Sequence, residues 1–410
     1  MPFSSPHVVS LGCRLNLAES ETIRSLLTGR DTVVVNSCAV TNEAVKQTRQ
    51  AIRRARRERP DAELVVTGCA AQIDPQAFAA MPEVDRVIGN AEKLRADAWA
   101  PGEAVVVQDI MAVRDTAPHL AASFSTHARA FVEVQNGCDH RCTFCAIPFG
   151  RGNSRSVGAG AVIDRVTELA ERHAEVVLTG VDLTSYGHDL PGKPSLGQLV
   201  ERVLRHVPQL RRLRLSSLDG IEIDDRLFDL LTQESRVMPH VHLSLQAGDD
   251  MVLKRMKRRH GRAQSVALVE RLKAARPDIA IGADLIAGFP TEDEAMFANS
   301  LALIDDCDVV HAHIFPYSPR AGTPAARMPQ VQPDVVKARA AKLRAAAERR
   351  RSAWLQSLVG STQEILVERP GDRGHAGNFA EVRHGPSEVG AIVRLKIERV
   401  ENGKLMGVDA

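Results

Sequence analysis

The chain has 410 residues, 44% of them hydrophobic and 25% charged, so at roughly 150 residues per domain it is a multi-domain globular protein and neither a disordered tail nor a fibre. Its 53 Lys and Arg stand against 51 Asp and Glu, a net charge of +2, so any affinity for nucleic acid must come from local clusters of basic residues. No run approaches the roughly 18–20 apolar residues of a membrane helix, and the start MPFSSPHVVSLGC lacks the order of a signal peptide, which predicts a cytoplasmic protein with no membrane partner.

From residue 1 to about 90, the apolar runs HVVSLGC, TVVVNSC and ELVVTGC alternate with helix-like stretches at 17–29 and 43–59. This pattern predicts a parallel, flavodoxin-like α/β domain over residues 1–110. Each run closes on a cysteine: Cys13, Cys38 and Cys69. Ligands of open parallel sheets sit just outside the carboxyl ends of the strands, so the three thiols can converge on one metal. Singly, each reads as a small buried hydrophobe; repetition at one position in consecutive units favours a shared site. Cys307 has no such partner motif and reads as core. Seven cysteines so unevenly spread do not make a disulfide scaffold.

Residues 91–128 read as a connector. Beyond it come FVEVQNG, EVVLTG, LRLSS, VHLSLQ, IAIGADLIAGFP and VVHAHIFPYS, each followed by a helical segment, which predicts a partial (β/α)6 barrel over 125–355. Polar residues gather at the carboxyl ends of these strands, where barrels place their chemistry: Cys138, Thr179, Asp182, Ser216, Ser217, Gln246, Asp284 and His313. Residues 334–357, rich in Ala and Arg and free of Gly and Pro, predict one long exit helix. After it, four segments alternating apolar and polar residues between turn signals predict a small antiparallel β-barrel over 358–410.

The strongest chemical signal is the triplet Cys138, Cys142 and Cys145, spaced CxxxCxxC directly after the first barrel strand. Three thiolates in a tight loop can hold three irons of a four-iron four-sulfur cluster and leave the fourth open. The alternative, a structural zinc, wants a fourth ligand, and no further Cys or closely spaced His pair follows. His140, inside the triplet, reads as a loop residue.

The triplet resembles that of the radical S-adenosylmethionine (SAM) superfamily, in which the open iron chelates SAM and reduces it to a deoxyadenosyl radical. That resemblance implies SAM contacts at Thr179, Gly180, Asp182, Ser216, Ser217, Gln246 and the segment 288–290. Together, the three-cysteine first domain, the triplet and the final barrel resemble the methylthiotransferases over essentially the whole chain. LGCRLNLAESE, VVNSCAVTNEAVKQTRQ, VVTGCAAQ, QNGCDHRCTFCAIPFGRG, LKRMKRRH and HIFPYSPRAGTPAARM are most similar to the MtaB type, which modifies N6-threonylcarbamoyladenosine next to the tRNA anticodon. The resemblance implies a second four-iron cluster on Cys13, Cys38 and Cys69, a TRAM-type RNA-binding final barrel, tRNA as substrate, an electron donor of unknown identity and a sulfur source. It further implies that both clusters face one pocket, since carbon 2 of adenine is an unactivated C–H position. One departure stands out: relatives show Ser-Arg after the Arg-Gly that follows the triplet, whereas here Ser156 is followed by Val157, so a guanidinium contact to SAM or RNA is either supplied by Arg155 or absent, with Arg151 a further candidate site residue.

Basic clusters at Lys46 to Arg59, Lys254 to Arg259 and Arg349 to Arg351 are candidate phosphate contacts, each equally readable as a solvated helix face. Phe379, near Arg383 and His384, is the one aromatic of the last barrel placed to stack a base, and a core role suits it better. The competing functions are a methylthiotransferase acting on isopentenyladenosine or on a ribosomal protein aspartate, and a non-catalytic iron–sulfur RNA-binding protein.

Overall fold

The structure, a computed structural model, describes residues 6–114 and 127–410; the first five residues and positions 115–126 of the expected connector lie outside the described residues. Five parallel strands open the chain: β1 (His7–Ser10), β2 (Thr32–Ser37), β3 (Glu63–Gly68), β4 (Arg86–Ile88) and β5 (Val105–Val106). They lie side by side in chain order, β1-β2-β3-β4-β5, which corrects the flavodoxin-like expectation, whose order begins 2-1-3. Val33, Val35, Leu64 and Val66 pack on one face against Ile52 and Ala55 of the helix Asn42–Glu58. Val8, Val34 and Val65 pack on the other against Ile23 and Leu27 beside Trp99. Burial on both faces is why these strands read as unbroken valine runs. β5 falls in the stretch expected to be connector.

The central unit holds β6 (Arg129–Asn136), β7 (Arg155–Ser156), β8 (Glu175–Gly180), β9 (Arg212–Leu215), β10 (Ser217–Leu218), β11 (His240–Gln246), β12 (Ala280–Ala287) and β13 (Val309–Pro316). They form two sheets, β7-β6-β8-β9 and β10-β11-β12-β13, with only Ser216 between β9 and β10, so one wall continues through that residue. Along β11, Val241, Leu243 and Leu245 enter the core with Val269 and Leu272 of the helix Arg262–Ala275. The alternate residues His240, His242, Ser244 and Gln246 therefore line the opposite, inner face. His242 meets Asp284 of β12 at 3.0 Å, and Asp284 meets His313 of β13 at 3.1 Å.

The helix Pro333–Ser357 leads from the central unit into a closed barrel of β14 (Thr362–Glu368), β15 (Arg373–Ala376), β16 (Glu381–Arg383), β17 (Ile392–Glu401) and β18 (Lys404–Asp409). Its pairing is antiparallel except between β16 and β18, which run parallel and close it. This barrel meets the amino ends of the central strands. Phe379, with φ +69°, stacks on His375 at 4.6 Å and meets His240 and His311 at 5.2 and 5.9 Å. Around it Arg129 bridges Glu175 and Glu368 at 3.0 and 2.6 Å, and Arg214 holds Glu175 at 2.9 Å. Burial would raise the Glu175 carboxyl, but Arg214 and Arg129 outweigh it and hold it down to about 2. No helix among the described residues is long and apolar enough to cross a membrane.

Candidate functional site

Cys138 follows β6 after Gly137, whose φ of +73° and approach to Asn153 leave no room for a side chain: an added Cβ would lie 1.9 Å from the Asn153 carbonyl oxygen. The Cys138 amide donates to the Gly152 carbonyl at 3.1 Å. Its Sγ lies 3.6 Å from Asp182 Oδ2, and Asp182 also meets His140 Nε2 at 2.9 Å and accepts from Ser185 Oγ at 2.7 Å. Burial works to raise the Asp182 carboxyl; the hydrogen bonds from His140 and Ser185 prevail and hold it below its ordinary value. Gln135 ties the two strand ends together, donating to the Gly137 carbonyl at 2.8 Å and accepting from the Asp182 amide at 2.8 Å. The rest of the triplet loop rests on the segment expected to be a basic patch. Thr143 N donates to Met256 O at 3.1 Å, Thr143 Oγ1 to Arg255 O at 2.8 Å, and Arg258 reaches Cys142 Sγ at 3.8 Å. The Ile147 amide points at Cys145 Sγ at 3.4 Å. Burial pushes the Cys145 thiol up to about 12 and raises that of Cys138 further.

Cys13, Cys38 and Cys69 stand at the carboxyl ends of three adjacent strands, β1, β2 and β3. Gly12, with φ +91°, lets two of them approach: a Cβ there would lie 2.7 Å from Cys38 Sγ. The three thiols are within electrostatic reach of one another, and burial pushes Cys38 up to about 11 and raises Cys13. Three thiols held close together suit a cation that would displace their protons, and N–H groups aimed at sulfur suit iron–sulfur ligands. Cys69 Sγ receives two such donors, Arg151 Nε at 3.2 Å and Asn90 Nδ2 at 3.6 Å.

Those two donors join the triads. Arg151 belongs to the short helix Ile147–Arg151 that directly follows Cys145, and it crosses into the first domain, where it pairs with Glu19 and donates to Asn16 Oδ1 at 2.5 Å. Asn90 also donates to the Gly150 carbonyl at 2.5 Å, and a Cβ on Gly150 would meet Cys69 Cβ at 3.0 Å. On the Cys38 side, Arg320 donates to Asn42 Oδ1 at 2.6 Å and the Asn42 amide donates to Ser318 Oγ at 3.1 Å. The two cysteine sets therefore lie against one domain junction.

The remaining expected positions divide. Thr179 is buried at the end of β8, and Gly180 leaves space for Gln135, whose Oε1 would lie 2.9 Å from an added Cβ. Ser216 Oγ is buried with no hydrogen-bond partner, an orphan that fits a ligand atom. Ser217 Oγ meets Ser244 Oγ at 3.0 Å, and Gln246 closes β11 at φ +67°. Arg155 is committed to backbone, donating to the carbonyls of Asn153 and Arg151 at 2.9 and 3.0 Å, so it buttresses the turn that receives Cys138. The basic helix Asn42–Glu58 is largely paired within its own domain: Arg56 donates to the Glu83, Pro60 and Ala62 carbonyls, Arg53 meets Glu83, Arg54 meets Glu58, and Arg49 lies over Phe78. Arg350 and Arg351 engage Asp308 and His311. Phe379 sits half-buried in the domain junction described above, among histidines and arginines rather than in the apolar core expected for it. Sequence reasoning did not anticipate the Arg151–Glu19–Lys93 chain, in which Lys93 meets Glu19 at 2.6 Å, or the inner-face group His242, Asp284 and His313 as a unit. The alternation in HVHLSLQ was the available signal for the latter.

Residues 132–304 match the Radical SAM superfamily and residues 6–89 match a family described as Uncharacterized protein family UPF0004. The chain is 48% identical over 402 residues to the threonylcarbamoyladenosine tRNA methylthiotransferase MtaB of Rickettsia prowazekii (strain Madrid E), covering 97% of this chain and 95% of that protein. It is 32% identical to the protein of that name from Bacillus subtilis (strain 168), covering 95% and 92%. It is also 34% identical to the tRNA-2-methylthio-N(6)-dimethylallyladenosine synthase of Erythrobacter litoralis (strain HTCC2594), covering 92% and 90%. Among solved structures, the cobalamin- and [4Fe-4S]-bound radical SAM methyltransferase TsrM of Kitasatospora setae shares the fold, with a TM-score of 0.54 at 18% identity over 72% of this chain and 66% of that one.

Proposed function

The chain belongs to the radical SAM methylthiotransferases of the MtaB type, an enzyme family using SAM and two four-iron four-sulfur clusters, and from that premise we propose the following assignment of its residues and substrate. It converts N6-threonylcarbamoyladenosine at tRNA position 37 to the 2-methylthio derivative. Cys138, Cys142 and Cys145 hold the cluster that binds SAM. Cys13, Cys38 and Cys69 hold the second. When bound, these groups supply one-electron reduction of SAM and a methylated sulfur for the new carbon–sulfur bond.

The protein's own groups then have distinct tasks. Gln135 fixes the Asp182 strand end against the triplet loop, so that Thr179, Gly180 and Asp182 can meet the zwitterion and ribose of SAM, with Ser216, Ser217 and Gln246 opposite. Arg258 and the Ile147 amide present N–H groups to the triplet sulfurs, as Arg151 and Asn90 do to Cys69. Such donors stabilise anionic sulfur and tune its reduction potential. The junction itself shields reactive intermediates from water. An external electron donor and a sulfur source are required, and tRNA as substrate sets the working compartment as the cytoplasm.

The observation that carries this reading is the contact of Arg151 and Asn90 with Cys69, because it brings the triplet helix and the third strand-end cysteine together. Mass spectrometry of tRNA nucleosides from cells lacking the protein tests it: loss of methylthio-threonylcarbamoyladenosine is expected. Persistence of that nucleoside with loss of the isopentenyl counterpart would transfer the assignment to the other substrate. Anaerobic reconstitution that yields no 5′-deoxyadenosine from SAM would leave only a binding protein.

A further inference from the structure

The inner floor of the central barrel holds more cations than its carboxylates satisfy. The guanidinium carbons of Arg14, Arg129 and Arg214 lie 5.5, 5.5 and 4.9 Å from the centre of the Phe379 ring. Arg129 and Arg214 share Glu175, and Arg129 also takes Glu368, which His375 meets at 2.7 Å. Arg212 turns to Glu364. Arg14 alone of this group makes no hydrogen bond or ion pair among the described residues; it touches only aromatic faces, those of Phe379 and, at 5.9 Å, Phe131. It is exposed and immediately follows Cys13.

An exposed arginine beside two like charges gains from any anion that can enter, and its planar fork matches a carboxylate in a bidentate pair. On the functional reading above, on which this inference rests, the modified base carries one carboxylate, that of the threonine attached through N6. N6 is joined to carbon 2 through C6 and N1 along one edge of adenine. A base that turns carbon 2 toward the Cys13 side of the junction therefore presents its N6 substituent along the same edge, toward the residue next to Cys13. We propose that Arg14 binds the threonyl carboxylate and sets the preference for threonylcarbamoyladenosine over isopentenyladenosine, whose N6 substituent is uncharged.

The test uses the full-length, anaerobically reconstituted protein and two anticodon stem-loop RNAs, one with threonylcarbamoyladenosine and one with its carboxylate converted to the neutral methylamide. Binding is read by fluorescence anisotropy and turnover by nucleoside mass spectrometry. A charge-assisted pair predicts that the wild type prefers the acid by about tenfold to a hundredfold in Kd and in kcat/KM. Arg14→Gln should erase that preference while keeping its iron content, and Arg14→Lys should restore part of it. Equal binding of acid and amide by the wild type overturns the proposal, as does an Arg14→Gln protein that keeps the wild-type ratio. The functional reading fails separately: a wild type that cleaves SAM but methylthiolates neither RNA contradicts that reading, while the binding ratio still decides the role of Arg14.

Discussion

Replacing Arg151 with methionine removes the most enclosed polar link between the first domain and the triplet helix. Arg151 is 2% exposed and pairs with Glu19, itself 2% exposed, while donating to Asn16 Oδ1 at 2.5 Å and Cys69 Sγ at 3.2 Å. Burial would raise the Glu19 carboxyl, but Arg151 and Lys93 outweigh it and hold it down to about 2. Deleting one partner of a buried ion pair costs about 3–5 kcal/mol because the other charge is left desolvated. Here Lys93 remains 2.6 Å from Glu19, so the lower end, about 3 kcal/mol, is expected. The chain has two tryptophans, so a Trp354→Phe background leaves Trp99 as sole reporter. Trp99 is buried and donates to the Lys93 carbonyl at 2.9 Å, so its fluorescence during urea unfolding of the cofactor-free protein reports on this network. The double variant with Glu19→Gln should lose less than the sum of the two single losses, by about 0.5–3 kcal/mol. A loss below about 1 kcal/mol for Arg151→Met, or strict additivity in the cycle, refutes the reasoning.

Replacing Cys13, Cys38 and Cys69 together should lower iron from about eight to about four per chain, retain SAM cleavage and abolish methylthiolation, whereas Cys142→Ala should abolish 5′-deoxyadenosine formation; iron analysis and product chromatography check both. Phe379→Ala should destabilise the junction with the final barrel by about 2–3 kcal/mol, less than a fully enclosed phenylalanine because this ring is only half-buried, and differential scanning calorimetry reads the loss. Glu175, with a folded value of about 2 against an ordinary 4.5, contributes stability that is complete above pH 4.5 and is lost as pH falls from there toward 2. Urea midpoints of the cofactor-free protein across that window should fall with acid in the wild type and lie flatter in Glu175→Gln.

Much of the architecture was readable because it repeats. Three valine runs ending in cysteine mark parallel strands, and six polar-ended strands mark the central wall. The strands Arg86–Ile88 and Val105–Val106 escaped because runs of three and two residues carry no usable period. Charge runs say little by themselves: Arg56 and Arg258 are committed to carbonyls, carboxylates and a thiol, and a run of cations in sequence does not say which anions the fold will bring to it. That the two cysteine sets face each other was expected from the resemblance, but the residues that join them were not legible for the same reason, since Arg151 and Glu19 are 132 positions apart. What sequence could supply was the chemistry of each triad and the expectation that they face one pocket; the contacts that hold them together depend on long-range packing.

The claim that both cysteine triads carry clusters opening onto one junction is tested most directly by electron paramagnetic resonance of the dithionite-reduced, fully reconstituted protein. Two nearby paramagnets should give a spectrum broadened by mutual magnetic coupling, which collapses to a simple single-cluster signal when Cys13, Cys38 and Cys69 are replaced. Two uncoupled signals that merely add in the wild type would contradict it.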